Sequence, residues 1–177
     1  MDLNGAHVVV TGGSTGIGAA LADEFTERGA RVLVVARSEE KLRTVAARNV
    51  GDYVVADLSD AGDVDGLVEK CLATLGHVDV WVNNAGIETS TSFASTPRDE
   101  IRTLARLNFE ATLLLTRDVL DHLLPRNSGH VDVPPVRRAR DAGMVMLDLR
   151  RDHHAEALPG RVPTTCDRAA GGRSQGC

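Results

Sequence analysis

Residues 11–18 read Thr-Gly-Gly-Ser-Thr-Gly-Ile-Gly and directly follow the apolar run 7–10, His-Val-Val-Val. A β-branched run followed by three spaced glycines is typical of a strand, a tight turn and the start of a helix. Gly12 would let the chain turn sharply, Gly16 would let the backbone approach a pyrophosphate, and Gly18 would let the helix pack close to the sheet. The stretch therefore predicts a phosphate-binding turn at a helix N-terminus, where backbone N–H groups have no partner within the helix.

The composition is typical of a single soluble globular domain. The chain has 177 residues, of which 42% are hydrophobic and 25% are charged, and these proportions are ordinary for such a domain. No apolar stretch approaches the length of a membrane span, and residues 1–5 show no signal-peptide pattern, so we expect a cytoplasmic protein without membrane contact. The net charge of −5 disfavours nucleic-acid binding. The three cysteines are odd in number and widely spaced, which predicts neither a disulfide framework nor a metal site.

Strand and helix signals alternate along residues 1–131, and this alternation favours a parallel sheet covered by helices. Helical periodicity and capping residues predict four helices. Three of them span 19–28, 60–75 and 97–124, and the remaining one follows a cap at Ser38. We expect the last helix to be capped by Thr96 and stopped by Pro125. The predicted fold is α/β, a Rossmann-type doubly wound parallel sheet truncated after about five strands. Apolar runs place these strands at 7–10, 31–36, 53–57, 78–82 and 130–133.

The sequence changes character after residue 131. Residues 132–177 hold four of the six prolines and eight arginines, and they contain no lysine, phenylalanine, tryptophan or tyrosine. Their one compact apolar stretch is 144–149. We therefore divide the chain into a domain at 1–131 and an atypical, irregular and largely disordered tail at 132–177. Translation of a GC-rich shifted reading frame would give such a composition, so we hypothesise that the tail is a frameshift product.

Four motifs in the first 131 residues resemble those of the short-chain dehydrogenase/reductase family and occur in that family's order. They are Thr11-Gly12-x-x-x-Gly16-x-Gly18, Asp57-Leu58, Asn83-Asn84-Ala85-Gly86 and Asn108. The resemblance implies an NAD(P)-binding Rossmann domain and an oxidoreductase that transfers hydride between NADP(H) and a carbonyl or alcohol substrate. The cofactor-binding residues that it implies are Gly12, Ser14, Thr15, Gly16, Ile17, Gly18, Arg37, Asp57, Leu58, Asn84, Ala85 and Gly86.

Two of these motifs also have a physical interpretation. Asp57 ends a predicted strand at the carboxyl edge of the sheet, where doubly wound folds bind ligands. Its carboxylate would accept a hydrogen bond from an adenine amino group; the alternative is a loop or capping aspartate. Asn84 and Ala85 would line the cofactor cleft, and Gly86 would permit close backbone approach. The alternative for this second motif is an ordinary asparagine–glycine turn.

Arg37 indicates which dinucleotide is preferred. NAD-specific folds place an acidic residue after the second strand to bind the ribose 2′-hydroxyl, whereas an arginine nearby accommodates the 2′-phosphate of NADP. The end of the second predicted strand has no acid, and Arg37 stands just past it. We therefore predict NADP rather than NAD. The alternative is a surface arginine that pairs with Glu39 or Glu40.

The resemblance implies four catalytic residues, of which this chain matches one. Family members use a tyrosine as general acid and base, a lysine four residues later that lowers the tyrosine pKa, a serine at the end of the fifth strand, and an asparagine that holds a relay water. Asn108 matches this asparagine; the alternative is that it bonds to a neighbouring loop. Tyr53 is the only tyrosine, Lys41 and Lys70 are the only lysines, and Pro134 directly follows the fifth predicted strand.

We therefore expect a chain that binds the dinucleotide but is catalytically impaired. The alternatives are a non-enzymatic dinucleotide-binding module and a decayed gene fragment. His153, His154 and Cys166 have no spacing typical of a metal site or of a supported acid–base site. The resemblance is compatible with a homo-oligomer, although the usual partner of the long helix is missing here, and the substrate stays open.

Overall fold

The computed structural model of the protein describes residues 2–49, 51–89, 92–133 and 145–148. Helices and strands alternate along the chain as the sequence predicts. The strands are β1 (His7–Thr11), β2 (Arg31–Ala36), β3 (Asp52–Val55), β4 (Val80–Val82), β5 (His130–Val133) and β6 (Val145–Asp148). The helices are α1 (Gly16–Glu27), α2 (Glu39–Asn49), α3 (Ala61–Val64), α4 (Leu67–Leu75), α5 (Arg98–Ala105) and α6 (Thr112–Arg126). A π-helical segment, Arg106–Ala111, joins α5 to α6.

The six strands form one sheet in the order β3-β2-β1-β4-β5-β6. Strands β1 to β5 are parallel, and β1 lies at the centre, with Val9 opposite Leu33 on one side and Trp81 on the other. Because the strand order reverses at β1, the loops after β1 and β4 diverge and leave a crevice at the carboxyl edge. This arrangement confirms the predicted Rossmann-type doubly wound fold.

Strand β6 lies in the part of the chain predicted to be irregular. This strand runs antiparallel to β5, with Leu147 opposite Val131, and its four residues lie within the apolar run 144–149 of the sequence. The outer edge of β5 offers unpaired backbone groups, and a short apolar segment can satisfy them. The expectation of an irregular segment is therefore wrong for residues 145–148. The remaining residues of the expected tail, 134–144 and 149–177, lie outside the described residues.

The core lies on both faces of the sheet, which explains why the central strands are continuous apolar runs. On one face, Leu33 and Trp81 are fully buried together with side chains of α4 and α6. On the opposite face, Val10 and Val34 pack with side chains of α1 and α2. Within the described residues, no helix combines the length and the apolar character that crossing a membrane requires.

The predicted helix at 60–75 is two helices. The chain between α3 and α4 contains Gly66, whose φ of 73° is left-handed and cannot continue an α-helix. Asp60 caps the short α3 by accepting a hydrogen bond from the Gly62 N–H at 2.8 Å. The apolar periodicity that predicted one helix belongs to α4, whose buried residues are Leu67, Val68, Cys71 and Leu75.

Further boundaries differ by one to three residues, among them the start of α1 at Gly16 rather than at 19. Strand β3 ends at Val55, so Asp57 follows the strand rather than closing it. Strand β4 begins at Val80 rather than at 78. Pro97 occupies the N-cap position of α5 that we expected for Thr96.

The end of the long helix also differs from the prediction. Pro125 lies inside α6, which continues to Arg126 and ends at Asn127 with a left-handed φ of 48°. A proline lacks the N–H that an α-helix uses, but here the Arg126 guanidinium secures the last turn. It donates hydrogen bonds to the Val78 carbonyl at 2.7 Å and to the Asp79 carboxylate at 3.0 Å.

Candidate cofactor site at the carboxyl edge of the sheet

The turn between β1 and α1 packs closely against the loop after β4, and Gly12 and Gly18 make this close packing possible. Gly12 has a φ of 66°, and a Cβ there would lie 2.8 Å from the Ala85 Cα. A Cβ at Gly18 would collide with the Asn84 carboxamide nitrogen and with the carbonyl oxygen of Gly12. Gly18 therefore permits α1 to approach both the turn that precedes it and the loop after β4.

Gly16 faces open space instead. Its φ is 57°, and a Cβ at this position would have no atom within 4 Å. Thr15 stands at the N-cap of α1 with an extended backbone and makes no side-chain capping hydrogen bond. Thr15, Gly16 and Ile17 are all exposed. The N-terminus of α1 therefore has no side-chain cap, and the space beside Gly16 is open. An anionic group suits this position, because the first-turn N–H groups and the helix dipole both favour negative charge.

Gly13, which is not among the predicted site residues, packs this turn against β2. Its Cβ would lie 2.7 Å from the Val34 Cγ1, and its N–H donates to the Val35 carbonyl at 3.2 Å. The turn therefore rests directly on β2. Its position beside Gly12 was the available signal, since two consecutive glycines permit close packing on both sides of a turn.

Thr11 joins the end of β1 to the β4 loop. Its hydroxyl is buried and donates to the Val82 carbonyl at 3.2 Å, while it accepts from the backbone N–H groups of Asn84 at 3.0 Å and Ala85 at 3.1 Å. These contacts use the one donor and both acceptor positions of a hydroxyl. The Asn84 side chain returns a hydrogen bond from its Nδ2 to the Thr11 carbonyl at 2.9 Å. The glycine motif includes Thr11, but its local spacing gives no sign of this positioning role.

Asn83 was also missed as a site residue, and it faces the interior. Its Oδ1 accepts a hydrogen bond from the Trp81 indole N–H at 2.9 Å. Its Nδ2 donates to the Thr116 hydroxyl and to the Asp132 carbonyl, both at 3.1 Å. This buried carboxamide therefore connects β4, α6 and β5 just below the crevice. The consecutive asparagines thus have different tasks, because Asn83 anchors the loop and Asn84 contacts the glycine turn.

Asn108 lies in the π-helical segment and binds the β4 loop. Its Oδ1 accepts from the Ile87 N–H at 2.9 Å, and its Nδ2 donates to the Ile87 carbonyl at 2.7 Å. A Cβ on Gly86 would be 3.4 Å from the same Oδ1. Bonding to a neighbouring loop, the alternative that we weighed for Asn108, describes these contacts. Single π-helical turns within α-helices are frequent at functional sites, and this one brings the carboxamide to the crevice.

Arg37 and Asp57 lie near each other after β2 and β3. The Arg37 Nη1 is 3.9 Å from the Asp57 Oδ2, and the Arg37 side chain is 68% exposed. Glu39, one of the two expected partners of Arg37, instead pairs with Arg43 at 2.8 Å. The structure therefore leaves the Arg37 guanidinium accessible at the carboxyl edge.

The Asp57 carboxylate is held by the turn that follows it. Its Oδ1 accepts hydrogen bonds from the Ser59 N–H at 2.9 Å and the Ser59 hydroxyl at 2.7 Å. Burial opposes ionisation, but the two Ser59 hydrogen bonds and the Arg37 charge outweigh it and lower the pKa of Asp57. Leu58, the other residue of this motif, packs in the core with 6% exposure, so only its backbone is available to a ligand.

The tyrosine and lysines of the chain lie elsewhere. The Tyr53 hydroxyl donates to the Glu39 carboxylate at 3.2 Å and accepts from the Arg43 Nε at 3.1 Å. Tyr53 is on β3, which is separated from β4 by two strands. Lys41 and Lys70 are exposed residues of α2 and α4. The structure therefore does not bring Tyr53 to Asn108.

A family profile described as short chain dehydrogenase matches residues 6–132. The chain belongs to this family. It is 31% identical over 125 residues to an uncharacterized oxidoreductase of Staphylococcus epidermidis, a match covering 70% of this chain and 54% of the relative. It is 37% identical over 139 residues to a fatty acyl-CoA reductase of Mycobacterium tuberculosis, covering 74% of this chain and 47% of the relative. This short-chain dehydrogenase chain thus spans about half the length of these curated relatives.

Solved structures of the family have the same fold. A metagenomic short-chain oxidoreductase in complex with NADP superposes with a TM-score of 0.68 at 35% identity, covering 74% of this chain and 62% of the other. A 3-oxoacyl (acyl-carrier-protein) reductase from Agrobacterium tumefaciens with NADP bound also gives a TM-score of 0.68, at 27% identity, covering 73% of this chain and 52% of the other. The resemblance inferred from the four motifs is therefore confirmed at the level of family and fold.

Proposed function

We propose that this chain is the dinucleotide-binding part of an NADP-dependent short-chain oxidoreductase. The observation that carries the proposal is the start of α1, an N-terminus without a side-chain cap beside a glycine whose missing Cβ leaves open space. First-turn N–H groups there suit a pyrophosphate. The two neighbouring structures that carry NADP support the assignment.

The residues of the crevice have distinct tasks in this proposal. The turn 14–17 faces the phosphates, Arg37 binds the 2′-phosphate, and the ionised Asp57 accepts a hydrogen bond from the adenine amino group. The loop 84–86 forms the wall of the cleft on the β4 side. Bound NADP(H) supplies hydride chemistry, and the side chains of this chain bind and orient it. Asn108 acts as a positioning residue because both of its polar atoms hold the Ile87 backbone.

NADP rather than NAD is supported by the arginine after β2. The last residues of β2 are apolar, and the first charged residue beyond them is Arg37. Its 3.9 Å contact with Asp57 is long for an ion pair, and both side chains are partly exposed, so the contact holds the guanidinium weakly. A 2′-phosphate offers a planar guanidinium two charge-assisted hydrogen bonds, which are stronger.

The test is a fluorescence titration of the purified chain with NADPH and with NADH. We expect tighter NADPH binding, and Arg37→Ser is expected to weaken NADPH binding about 10- to 100-fold, because a hydrogen bond to a charged group contributes about 1.5–3 kcal/mol. NADH binding is expected to change little. Arg28→Ser is the matched control, since Arg28 is a similarly exposed arginine at the far end of α1. Equal affinities for both dinucleotides would refute the NADP preference, and binding of neither would refute the site.

We further propose that this chain binds the cofactor without completing turnover. The phenol of Tyr53 is occupied on β3 by Glu39 and Arg43, and no tyrosine or lysine follows Asn108 in the sequence. Incubation with NADPH and a panel of ketones tests this, with cofactor consumption read at the nicotinamide absorbance. Turnover would refute the proposed impairment. Cofactor binding without turnover is the expected result and is shared with the second candidate, a non-enzymatic binding module, whereas absence of binding would leave the decayed fragment.

A further inference from the structure

Four of the six histidines converge at the amino edge of the sheet, opposite the candidate cofactor site. His7 begins β1, His77 precedes β4, His122 lies in α6 and His130 begins β5. The His7 and His77 rings stack with their centroids 4.0 Å apart. No sequence pattern indicated this cluster, because its members are widely separated along the chain and meet only where strands and helix begin or end at one edge.

Asp79 lies at the centre of the cluster and is largely buried. Its Oδ2 accepts a hydrogen bond from the His7 backbone N–H at 2.9 Å and lies 3.1 Å from the His77 Nε2. Its Oδ1 accepts from the Arg126 Nη2 at 3.0 Å. The Asp79 carboxylate therefore balances the charge of the Arg126 guanidinium, and it also faces the His77 ring.

The His122 ring has a different environment, because only hydrogen-bond donors face its Nε2. The Val78 backbone N–H points to this nitrogen at 3.4 Å, and the Arg126 Nη1 lies 3.2 Å from it. A guanidinium and a backbone N–H have no acceptor to offer. The geometry thus assigns the neutral His122 ring with an unprotonated Nε2, which joins α6 to the loop before β4. A proton on Nε2 would face both donors and place a second positive charge beside the guanidinium.

We propose that His122 is an acid-sensitive latch that fastens the C-terminal turn of α6 to the loop before β4 at neutral pH and releases it when protonated. Arg126 shares this latch, since its Nη1 also donates to the Val78 carbonyl at 2.7 Å. The titratable and charged groups that face His122 from its surroundings are Arg126 on α6 and His77 and Asp79 before β4. The cluster continues to His7 on β1, to His130 on β5 and to Asp2, which lines a cavity of about 270 Å³ together with Asp79 and His130.

The direction of the pH effect follows from the surroundings of the ring. Burial lowers the pKa of His122, the Arg126 and His77 charges lower it further, and Asp79 opposes them. The folded chain therefore binds a proton here less readily than the unfolded chain, whose histidine has the ordinary pKa of about 6.5. Stability from this site is complete above that value and is lost as the pH falls below it.

Thermal unfolding of the full chain between about pH 8 and about pH 5 tests the latch. We expect Tm to fall with acid over the histidine range. His122→Gln keeps an acceptor oxygen but cannot titrate, so its acid-induced fall should be about half that of the wild type or less. His77→Gln is the matched control, because it removes a neighbouring histidine and leaves the Val78 and Arg126 contacts of His122 in place, so it should keep most of the wild-type fall. Parallel falls for the wild type and His122→Gln would overturn the proposal.

A measurement on the unmodified chain decides the matter if His122→Gln fails to fold. Ring ¹⁵N–¹H NMR correlations report which histidine nitrogen carries the proton. We expect His122 to carry it on Nδ1 near pH 7.5, to titrate below the ordinary histidine value, and to shift the Val78 amide resonance with the same midpoint. A proton on Nε2 at neutral pH, or a midpoint at or above the ordinary value, would overturn the proposal.

Discussion

Replacing Gly18 by alanine is expected to destabilise the packing of the glycine turn before α1, in the absence of any cofactor. The new Cβ would collide with the Asn84 carboxamide nitrogen and with the Gly12 carbonyl oxygen. The Gly12 oxygen belongs to the backbone, and the Asn84 nitrogen is held by its 2.9 Å hydrogen bond to the Thr11 carbonyl. The methyl group must therefore push α1 away from the turn or break this hydrogen bond.

The size of the effect follows from these contacts. Forcing a methyl group into a packed site destabilises by about 1–3 kcal/mol, and loss of the Asn84–Thr11 hydrogen bond adds about 1 kcal/mol. The higher helix propensity of alanine at Gly18 offsets up to about 1 kcal/mol. The net expected loss in the free energy of unfolding is about 1–3 kcal/mol, which lowers Tm by roughly 3–10 °C for a chain of this length.

Gly16→Ala is the matched comparison, two residues earlier in the same turn. Its Cβ would meet no atom within 4 Å, so the expected destabilisation is only the roughly 1–2 kcal/mol of a left-handed alanine. Circular dichroism melts without cofactor and NADPH titrations with both variants separate the two effects. Gly18→Ala should show the larger fall in Tm. Gly16→Ala should instead weaken NADPH binding, because its methyl group would obstruct the proposed phosphate position. A Gly18→Ala variant as stable as the wild type would refute the packing argument.

Two further substitutions test the contacts around the crevice. Thr11→Val leaves the Ala85 N–H group without its acceptor, whereas the Asn84 N–H keeps the Val82 carbonyl at 3.1 Å. Urea unfolding should show a loss of about 1–3 kcal/mol, which is the cost of one buried unsatisfied donor. Thr11→Ser should retain most of the stability, and equal losses for the two variants would contradict this role. Asp57 has a lowered pKa, so its ionised form contributes stability at neutral pH that is lost as acid protonates it. Asp57→Asn should therefore flatten the acid-unfolding curve between about pH 5 and about pH 3, and an unchanged curve would count against the Ser59 hydrogen bonds as the cause.

The order of strands and helices could be predicted because each has a local signature. The β2 segment Arg31–Ala36 matches its predicted bounds, since a parallel strand buried on both faces must be a continuous apolar run. The break at Gly66 was missed because the apolar spacing of α4 extends toward it without interruption. The π-helical turn Arg106–Ala111 was missed because one extra residue in a turn barely changes a three- and four-residue apolar spacing.

Sequence motifs also indicated most residues of the crevice, but not the tasks of all of them. The glycines of the turn were correctly placed at the start of a helix, because turn chemistry is local. The partners of Thr11 and Asn108 were not predictable, since Thr11 contacts a residue 73 positions away and Asn108 one 21 positions away. Burial of the Leu58 side chain was equally hidden, because the motif alone does not state which way a side chain faces.

The sequence by itself determined the fold class, the family resemblance and the glycine turn before α1, because strand–helix alternation and glycine spacing are properties of neighbouring residues. It also determined which residue types are available for catalysis. Only the tertiary structure decided that Asn83 anchors the loop while Asn84 contacts the turn, that the Tyr53 phenol is bound on the far strand, and that four histidines meet at the amino edge of the sheet. These arrangements depend on the order of strands in the sheet, which brings distant positions to a common edge and leaves no trace in local spacing.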